Sequence, residues 1–262
     1  MRRAIFITGG GSGIGRATAI LFAGRGWMVG LGDVSEAGMI ETARLIGPDN
    51  ASIHMMDVRD RGDWRRALAD FTAKSGGRLD ILFNNAGIAR GGPFEAESEA
   101  DHDLIVDINF KGVMYGAEAC LPYLQATPGS CLLNTSSAAG LYGAPNLAVY
   151  AATKFAVRGL TEALNGEWEA RGVRVRSIMP SFIDTPLLNI ATAGSNATAR
   201  DGVVAAGLEF TPVDVVAQAA WDAAHGEKVH TIVGKTARRL AFAVRFAPWM
   251  LRRMRRRMDS QE

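Results

Sequence analysis

The chain has 262 residues, of which 48% are apolar and 21% charged, and its formal net charge at pH 7 is +2. This composition is typical of a globular protein and excludes disordered and fibrous classes, which are poorer in apolar residues or carry a visible repeat. Cys120 and Cys131 form no CxxC or Cys/His spacing, so we predict neither a disulfide framework nor a metal site.

Short apolar runs alternate with longer amphipathic segments along most of the chain. In chain order they predict strand 3–8, helix 13–25, strand 27–32, helix 36–45, strand 52–56, helix 62–74, strand 79–83, helix 111–125, strand 131–135, helix 150–171, strand 173–178 and strand 231–233. Such alternation needs right-handed crossovers, which build a parallel sheet covered on both faces. The expected fold is α/β, a doubly wound parallel sheet in a single domain over residues 1–234, with ligands at the carboxyl ends of the strands.

A glycine-rich loop, TGGGSGIG at residues 8–15, joins the first predicted strand to the first helix. Glycines allow positive φ and close backbone approach, and a helix N-terminus favours an anion, so the loop is predicted to cradle a diphosphate. A nucleoside triphosphate loop fits less well, because Arg16 and Ala17 occupy the lysine and Ser/Thr positions of that motif. A turn that serves packing alone is the other alternative.

Asp33 stands at the end of the second predicted strand, where a carboxylate can accept hydrogen bonds from the adenosine ribose hydroxyls of a dinucleotide. Its charge would repel a 2′-phosphate, so NAD(H) is favoured over NADP(H). Arg16 and Arg59 are the cations that would oppose this preference. A solvated turn or a helix cap is the alternative role for Asp33.

Tyr150 and Lys154 have an i, i+4 spacing that places a phenol and an ammonium group on one face of a helix. The pair alone is weak evidence, because any amphipathic helix can carry it. Ser137, however, follows a predicted strand and is expected at the same sheet edge as the glycine loop. This joint placement favours a catalytic role over separate structural roles for the three residues.

Together these motifs resemble the short-chain dehydrogenase/reductase family, whose members have a Rossmann-type fold. TGGGSGIG is similar to the family's cofactor loop, NNAG at 84–87 to its sheet-stabilising motif, and Asp57-Val58 to its adenine-binding pair. The resemblance implies that the catalytic residues are Asn109, Ser137, Tyr150 and Lys154. It implies cofactor contacts from Gly9, Ser12, Gly13, Ile14, Gly15, Asp33, Asp57, Val58, Asn84, Ala86, Gly87, Tyr150, Lys154, Pro180, Ile183 and Thr185. The sequence departs from the family pattern at Ser181, where glycine usually follows proline.

The resemblance also implies a mechanism without a metal. Lys154 and the positive nicotinamide ring would lower the pKa of Tyr150, which would act as general base for alcohol oxidation or general acid for carbonyl reduction. Ser137 would bind the substrate oxygen, and Lys154 would bind the nicotinamide ribose. Asn109 would hold a water that links Lys154 to solvent.

Residues 235–262 carry nine basic and two acidic side chains, a net charge of +7, which leaves −5 for the rest of the chain. After Pro248, methionines at 250, 254 and 258 alternate with arginines, which predicts a basic amphipathic helical tail. Such a tail would lie on an anionic membrane or pack on a partner subunit, with nucleic-acid binding less favoured.

The expected function is NAD(H)-dependent interconversion of a secondary alcohol and a ketone. Apolar residues in the loops 88–94, 141–147 and 187–207 favour a hydrophobic substrate. Similar basic tails occur in steroid- and retinol-like branches of the family, so the resemblance implies a steroid- or retinoid-like or other apolar substrate. The Ala/Gly/Ser/Thr-rich stretch 191–207 is expected to form an irregular flap. The alternatives are an NADPH-dependent carbonyl reductase and a non-enzymatic dinucleotide sensor or scaffold. A homo-oligomer is implied by the resemblance, and the absence of a long apolar run or signal sequence favours a cytoplasmic location.

Overall fold

The computed structural model describes residues 2–189, 193, 197–249 and 251. Its strands are β1 (Ala4–Thr8), β2 (Met28–Asp33), β3 (Ala51–Met55), β4 (Ile81–Asn84), β5 (Cys131–Thr135), β6 (Arg174–Pro180) and β7 (His230–Val233). Its helices are α1 (Gly13–Gly24), α2 (Glu36–Ile46), α3 (Arg61–Lys74), α4 (Glu99–Val106), α5 (Gly112–Gln125), α6 (Ala148–Glu169), α7 (Ala199–Ala205), α8 (Val213–His225) and α9 (Lys235–Phe246). A π-helical segment, Asp107–Lys111, joins α4 to α5.

The strands form one parallel sheet in the order β3-β2-β1-β4-β5-β6-β7, which confirms the predicted fold class. Alternate residues of each strand point to opposite faces, so Ile5 and Ile7 pack with α1, α2 and α8, whereas Phe6 packs with α3 and α5. The strand order reverses between β1 and β4. In doubly wound sheets the ligand crevice lies at the carboxyl ends of the strands at this point.

Three described helices lie where the sequence predicts none. The helix α4 is acidic in its first turn and has a single buried residue, Ile105, so it lacks the apolar stripe that periodicity detects. The helix α8 buries Val216, Ala217, Ala220, Ala223 and Ala224 along one face, a helical spacing that is visible in the sequence, so the pattern does indicate this helix and the prediction omitted it.

The helix α7 falls within 191–207, so the expectation of an irregular stretch is wrong for that part. It begins with a capping box in which the Thr198 hydroxyl accepts from the backbone of Asp201 and the Asp201 carboxylate accepts from the backbone of Thr198.

The predicted basic helix after Pro248 lies mostly outside the described residues, including Met250, Met254 and Met258. The chain before it forms α9, which begins directly after β7 and buries Ala237 completely. The domain boundary predicted at residue 234 therefore falls between β7 and α9, and α9 packs on the domain that the boundary was meant to end. Among the described helices, none combines the length and the apolar character needed to cross a bilayer.

Candidate active site

The glycine loop after β1 has the conformation that its sequence predicts. Gly9 and Gly13 have positive φ angles of 68° and 49°. A Cβ added at Gly15 would lie 2.1 Å from the carbonyl oxygen of Gly9, so no larger residue fits there without a backbone shift. These glycines bring the turn close to the first residues of α1, which include Ile14.

The N-terminus of α1 differs from those of its neighbours. Within the described residues, the Ser12 side chain makes no capping hydrogen bond, and the first turn of α1 contains no acidic residue. By contrast, Ser35 caps α2, Asp60 caps α3 and Ser98 caps α4 through their side chains. The first-turn N–H groups of α1 are thus left for an anion, so the cradle fits the diphosphate of a dinucleotide.

Asp33, at the end of β2, is hydrogen-bonded to this glycine loop. One carboxylate oxygen accepts a hydrogen bond from the backbone N–H of Gly11 at 2.9 Å, and the other accepts from Ser35 at 3.0 Å. The guanidinium group of Arg16 donates to the carbonyl oxygens of Gly11 and Gly38, so it holds the same loop from the other side.

Asp57 and Val58 follow β3 on the adenine side. The Asp57 carboxylate accepts from the Arg59 side chain at 2.9 Å, and this hydrogen bond lowers the pKa of Asp57. Val58 is buried beneath Gly112, and its carbonyl oxygen accepts from the indole N–H of Trp64 at 2.9 Å. Arg59, one of the two cations that would oppose NAD preference, is therefore paired with Asp57.

The NNAG segment after β4 connects the carboxyl ends of three strands. Thr8 on β1 accepts hydrogen bonds through its hydroxyl from the backbone N–H groups of Asn85 and Ala86, at 3.0 and 3.1 Å. The Asn85 side chain donates to the Thr8 carbonyl and accepts from Thr135 on β5. Asn84 instead turns into the sheet, where its amide donates to Asn134 at 3.1 Å.

Asn109 lies in the π-helical segment and is fully buried. Its side chain accepts from the backbone N–H of Ile88 at 2.9 Å and donates to the Ile88 carbonyl at 2.8 Å. The extra residue of a π turn points a side chain away from the regular helix spacing, and such turns are frequent at functional sites. Here Asn109 fixes the loop that begins at Gly87.

Gly87 brings Asn109 and Lys154 together. A Cβ added at this glycine would lie 3.1 Å from Oδ1 of Asn109 and 3.6 Å from Nζ of Lys154. The ammonium group of Lys154 donates to the carbonyl oxygen of Thr135 at 3.1 Å and lies 5.6 Å from the ring centroid of Tyr150. Ser137 lies near enough to Tyr150 for its hydroxyl to lower the pKa of the phenol. The structure thus joins Asn109, Lys154, Tyr150 and Ser137 in one cluster.

The electrostatics of this cluster differ from the sequence expectation. Burial raises the pKa of Tyr150, and the hydrogen bond with Ser137 lowers it in part. Burial also lowers the pKa of Lys154 to about 8, which leaves its ammonium group mostly protonated at neutral pH. Lys154 therefore does not by itself lower the pKa of Tyr150 below its ordinary value.

The segment after β6 approaches the cradle from the opposite side. Pro180 ends β6, and its carbonyl oxygen lies 3.5 Å from the Ser137 hydroxyl. Ile183 is buried, and the methyl group of Thr185 would lie 3.2 Å from a Cβ added at Gly13. Ser181, which departs from the family pattern, donates its backbone N–H to Val233 at 3.2 Å without a positive φ. The backbone therefore accommodates serine here, although the Ser181 hydroxyl is buried without a hydrogen-bond partner among the described residues, and Thr185 lies beside Gly13 of the glycine loop.

The three loops that are expected to line the substrate site contact one another. Gly92 donates its N–H to the carbonyl of Asn146 at 2.9 Å, and Ala193 donates to the carbonyl of Gly91 at 2.7 Å. Asn146 is the non-glycine residue with a positive φ among the described residues, at 61°. The loops also carry half-buried apolar and aromatic side chains: Leu141, Tyr142, Leu187 and Leu188.

Sequence reasoning missed the residues that assemble the site through backbone groups. Thr8 and Asn85 hold the ends of β1 and β4 together, and the carbonyl of Thr135 positions Lys154. Thr8 and Asn85 lie within the TGGGSGIG and NNAG motifs, so membership of these motifs was the signal that could have identified both residues. Among the described residues, no group of three potential metal ligands occurs.

The fold and this cluster define a dinucleotide-binding oxidoreductase, and comparisons with known proteins agree. The family model described as short chain dehydrogenase matches residues 3–195. The levodione reductase of Leifsonia aquatica is 37% identical over 191 residues, which cover 71% of each protein. The 3-oxoacyl-(acyl-carrier-protein) reductase of Thermotoga maritima is 35% identical over 184 residues, covering 69% of this chain and 74% of the relative.

A solved short-chain dehydrogenase/reductase from Burkholderia phymatum, in complex with NAD, superimposes with a TM-score of 0.84. It is 25% identical, and the match covers 93% of this chain and 92% of that one. The chain therefore belongs to the short-chain dehydrogenase/reductase family. It is an oxidoreductase that acts on CH–OH groups with a nicotinamide dinucleotide.

Proposed function

We propose that the protein interconverts a secondary alcohol and a ketone with NAD(H), acting on a hydrophobic substrate. The observation that carries this proposal is the joining of Ser137, Tyr150, Lys154 and Asn109 beside an uncapped helix N-terminus. The bound nicotinamide supplies or accepts the hydride. The protein supplies the proton transfer, the orientation of the substrate and the exclusion of water.

Tyr150 exchanges the proton with the substrate oxygen. Its raised pKa keeps it protonated at neutral pH, which suits a general acid for carbonyl reduction. For alcohol oxidation the phenol must lose this proton first. The hydrogen bond from Ser137 favours the phenolate, and so would the positive charge of the oxidised nicotinamide.

Ser137 and Lys154 serve the same reaction in different ways. When substrate binds, Ser137 turns its single hydroxyl hydrogen from Tyr150 to the substrate oxygen, where negative charge develops during the reaction. Lys154, anchored on the carbonyl of Thr135, presents its remaining N–H groups to the nicotinamide ribose. Asn109 holds the loop beside Lys154 and positions a water that links this lysine to solvent.

The preference for NAD(H) is supported by the charges around the adenosine end. Asp33 lies against Gly11, so a 2′-phosphate bound there would face its carboxylate. Arg16 is hydrogen-bonded to Gly11, Gly38 and Thr42, and Arg59 is paired with Asp57. Both cations are therefore occupied by groups of the protein.

The hydrophobic substrate is supported by the leucines at 141, 187 and 188 and by Tyr142 in the loops in front of Tyr150. One relative is named for the reduction of levodione and another for the reduction of a 3-oxoacyl chain. Both names denote ketones. We extend only this chemical class to the present protein.

A panel of alcohols and ketones, assayed with both cofactors, tests the proposal. We expect turnover of apolar cyclic or long-chain substrates with NAD(H), and a higher kcat/KM than with NADP(H). A higher kcat/KM with NADPH would favour the alternative, a carbonyl reductase. Cofactor binding without turnover of any substrate would favour the sensor or scaffold alternative.

We also propose that the protein is a cytoplasmic homo-oligomer whose C-terminal segment contacts a membrane peripherally. The oligomer is supported by the family alone. Light scattering of the purified protein tests it, and a monomer mass at micromolar concentration would contradict it.

A further inference from the structure

The outward side of α9 combines aromatic and basic side chains. Phe242 and Phe246 are each 63% exposed and lie one turn apart, with ring centroids separated by 5.1 Å. Trp249, just beyond the helix, is 58% exposed. Large aromatic side chains are normally buried, because their removal from water is favourable by about 25 cal/mol for each Å². Three of them together on one segment therefore indicate a binding surface.

Basic residues flank these rings. Lys235, Arg238, Arg239 and Arg245 are all exposed, and the guanidinium carbon of Arg245 lies 5.4 Å from the ring centroid of Phe246. The sequence from residue 235 to residue 249 contains no acidic residue. The opposite side of α9 packs on the domain through Ala237, with Leu240 and Val244 partly buried. The aromatic and basic residues hence face away from the protein.

We propose that this outward side of α9, with Trp249, binds the surface of an anionic lipid bilayer. Phenylalanine and tryptophan rings suit the boundary between headgroups and acyl chains, and the flanking cations suit anionic headgroups. The sequence beyond the described residues continues the same charge, with arginines at 252, 253, 255, 256 and 257. The outward side of α9 and Trp249 would thus form the peripheral membrane contact, and anionic lipids would be its partners.

Charge argues against a second copy of the chain as the occupant. A twofold interface would place the same surface on itself. Lys235 is paired with Glu209, so the three arginines of each α9 would then face three arginines of the other, with no acidic residue between 235 and 249 to compensate them. A bilayer containing anionic lipid provides the opposite charge and an apolar layer for the rings at the same time.

The position of α9 connects this surface to the proposed reaction. The helix packs against β7 and against the short turn Ala138–Gly140, which directly follows Ser137. The bilayer would thus lie on the side of the molecule where the loop after β5 emerges. This connection rests on the proposed function, but vesicle binding is measured without turnover, so the two can fail separately.

Sedimentation of the full chain with lipid vesicles tests the proposal. We expect binding to vesicles of phosphatidylcholine and phosphatidylserine, and little binding to phosphatidylcholine alone. Raising the salt concentration to about 0.5 M should release most of the protein, because surface charges are then screened. Lack of binding to the anionic vesicles at low salt would overturn the proposal.

Paired variants assign the binding to α9 rather than to the later arginines. We expect Arg238→Glu/Arg239→Glu to weaken binding by at least about tenfold. The matched control is Arg65→Glu/Arg66→Glu, a reversal of two adjacent exposed arginines on α3. The pair Phe242→Ala/Phe246→Ala should also weaken binding by at least about tenfold. Its control is Ile40→Ala/Leu45→Ala, which removes exposed apolar groups from α2.

Further outcomes would also decide against the bilayer. If the α9 variants sediment with vesicles as well as their controls do, the surface is not the binding site. If they instead lower the oligomer mass in light scattering while vesicle binding is unchanged, the surface is a subunit interface. Tighter binding to a single-stranded oligonucleotide than to anionic vesicles would identify a nucleic-acid surface. Cofactor affinity and thermal melting confirm that each variant is folded.

Fluorescence of Trp249 gives an independent measurement. Of the other four tryptophans, Trp27, Trp64 and Trp168 are buried and Trp221 is half-buried between Arg25 and His225, so transfer of Trp249 from water to lipid should dominate any change in emission. We expect anionic vesicles to shift the emission to shorter wavelength, and Trp249→Phe to remove most of that shift. An unchanged spectrum on vesicle binding would contradict insertion of this ring.

Discussion

The two sides of the ligand crevice are built by different means. On the proposed cofactor side, glycines at 9 and 15 bring backbone against backbone, Gly13 lies against the Thr185 side chain, and Asp33 fixes the turn through two N–H groups. On the substrate side, three loops meet through single backbone hydrogen bonds such as Ala193 to Gly91. The cofactor side is determined by steric limits on the backbone, whereas the substrate side depends on which side chains the loops carry.

Gly15→Ala should produce the largest change, because the new methyl group would lie 2.1 Å from the carbonyl oxygen of Gly9. We expect the cofactor dissociation constant to rise at least about 100-fold. The free energy of unfolding should fall by about 1–3 kcal/mol. Isothermal titration and denaturant melts measure the two effects.

The matched control for this variant lies on the substrate side. At Gly143 no heavy atom of the described residues lies within 4 Å of an added Cβ. Gly143→Ala should leave cofactor binding and stability near the original values. Equal effects of the two substitutions would remove the contrast between the two sides.

Ser137→Ala should lower kcat for alcohol oxidation by about 100-fold, since the substrate oxygen loses one hydrogen-bond donor. The variant also has a predicted pH signature. The bond from Ser137 favours the charged phenolate and so lowers the pKa of Tyr150, and removing it raises that pKa. The rising limb of the pH profile of kcat/KM for oxidation, which reports groups of the free enzyme, should then move to higher pH. A shift to lower pH would mean that Ser137 does not act on the phenol.

Asp33→Ala should reduce the discrimination between NAD and NADP by about tenfold. Asp33→Asn removes the negative charge and keeps one acceptor, for either Gly11 or Ser35, while its NH2 group takes the place of the other carboxylate oxygen. If charge repulsion governs the preference, both variants should accept NADP better than the original protein. Unchanged kcat/KM ratios in both would exclude Asp33 as the discriminating residue.

Leu188→Ser should have the smallest effect, confined to the substrate side. We expect KM for an apolar substrate to rise by about threefold to tenfold, because a half-buried apolar side chain is lost. The affinity for the cofactor should not change. A weaker cofactor affinity in this variant would show that the two sides are coupled.

The same contrast explains what the sequence could and could not predict. Gly15 and Asp33 are predictable because backbone geometry and charge allow few alternatives at those positions. Asn84 and Asn85 show where prediction from a motif stops. The two adjacent asparagines share one motif, but only the Asn85 side chain links β4 to β1. Which of them faces inward follows from strand register, which composition does not reveal.

The electrostatics were the least predictable part of the site. The spacing of Tyr150 and Lys154 predicts that they share a helix face, but not that burial raises the pKa of the phenol. Desolvation depends on every element packed around the group. The helix α8, by contrast, was within reach of the sequence, because its buried residues recur with helical spacing.

The central claim is that Tyr150 exchanges the proton with the substrate oxygen, and Tyr150→Phe tests it most directly. The variant keeps the ring and removes the hydroxyl group. We predict a loss of kcat of at least about 100-fold, with the cofactor dissociation constant within about twofold of the original value. Turnover at the original rate with cofactor binding intact would contradict the account.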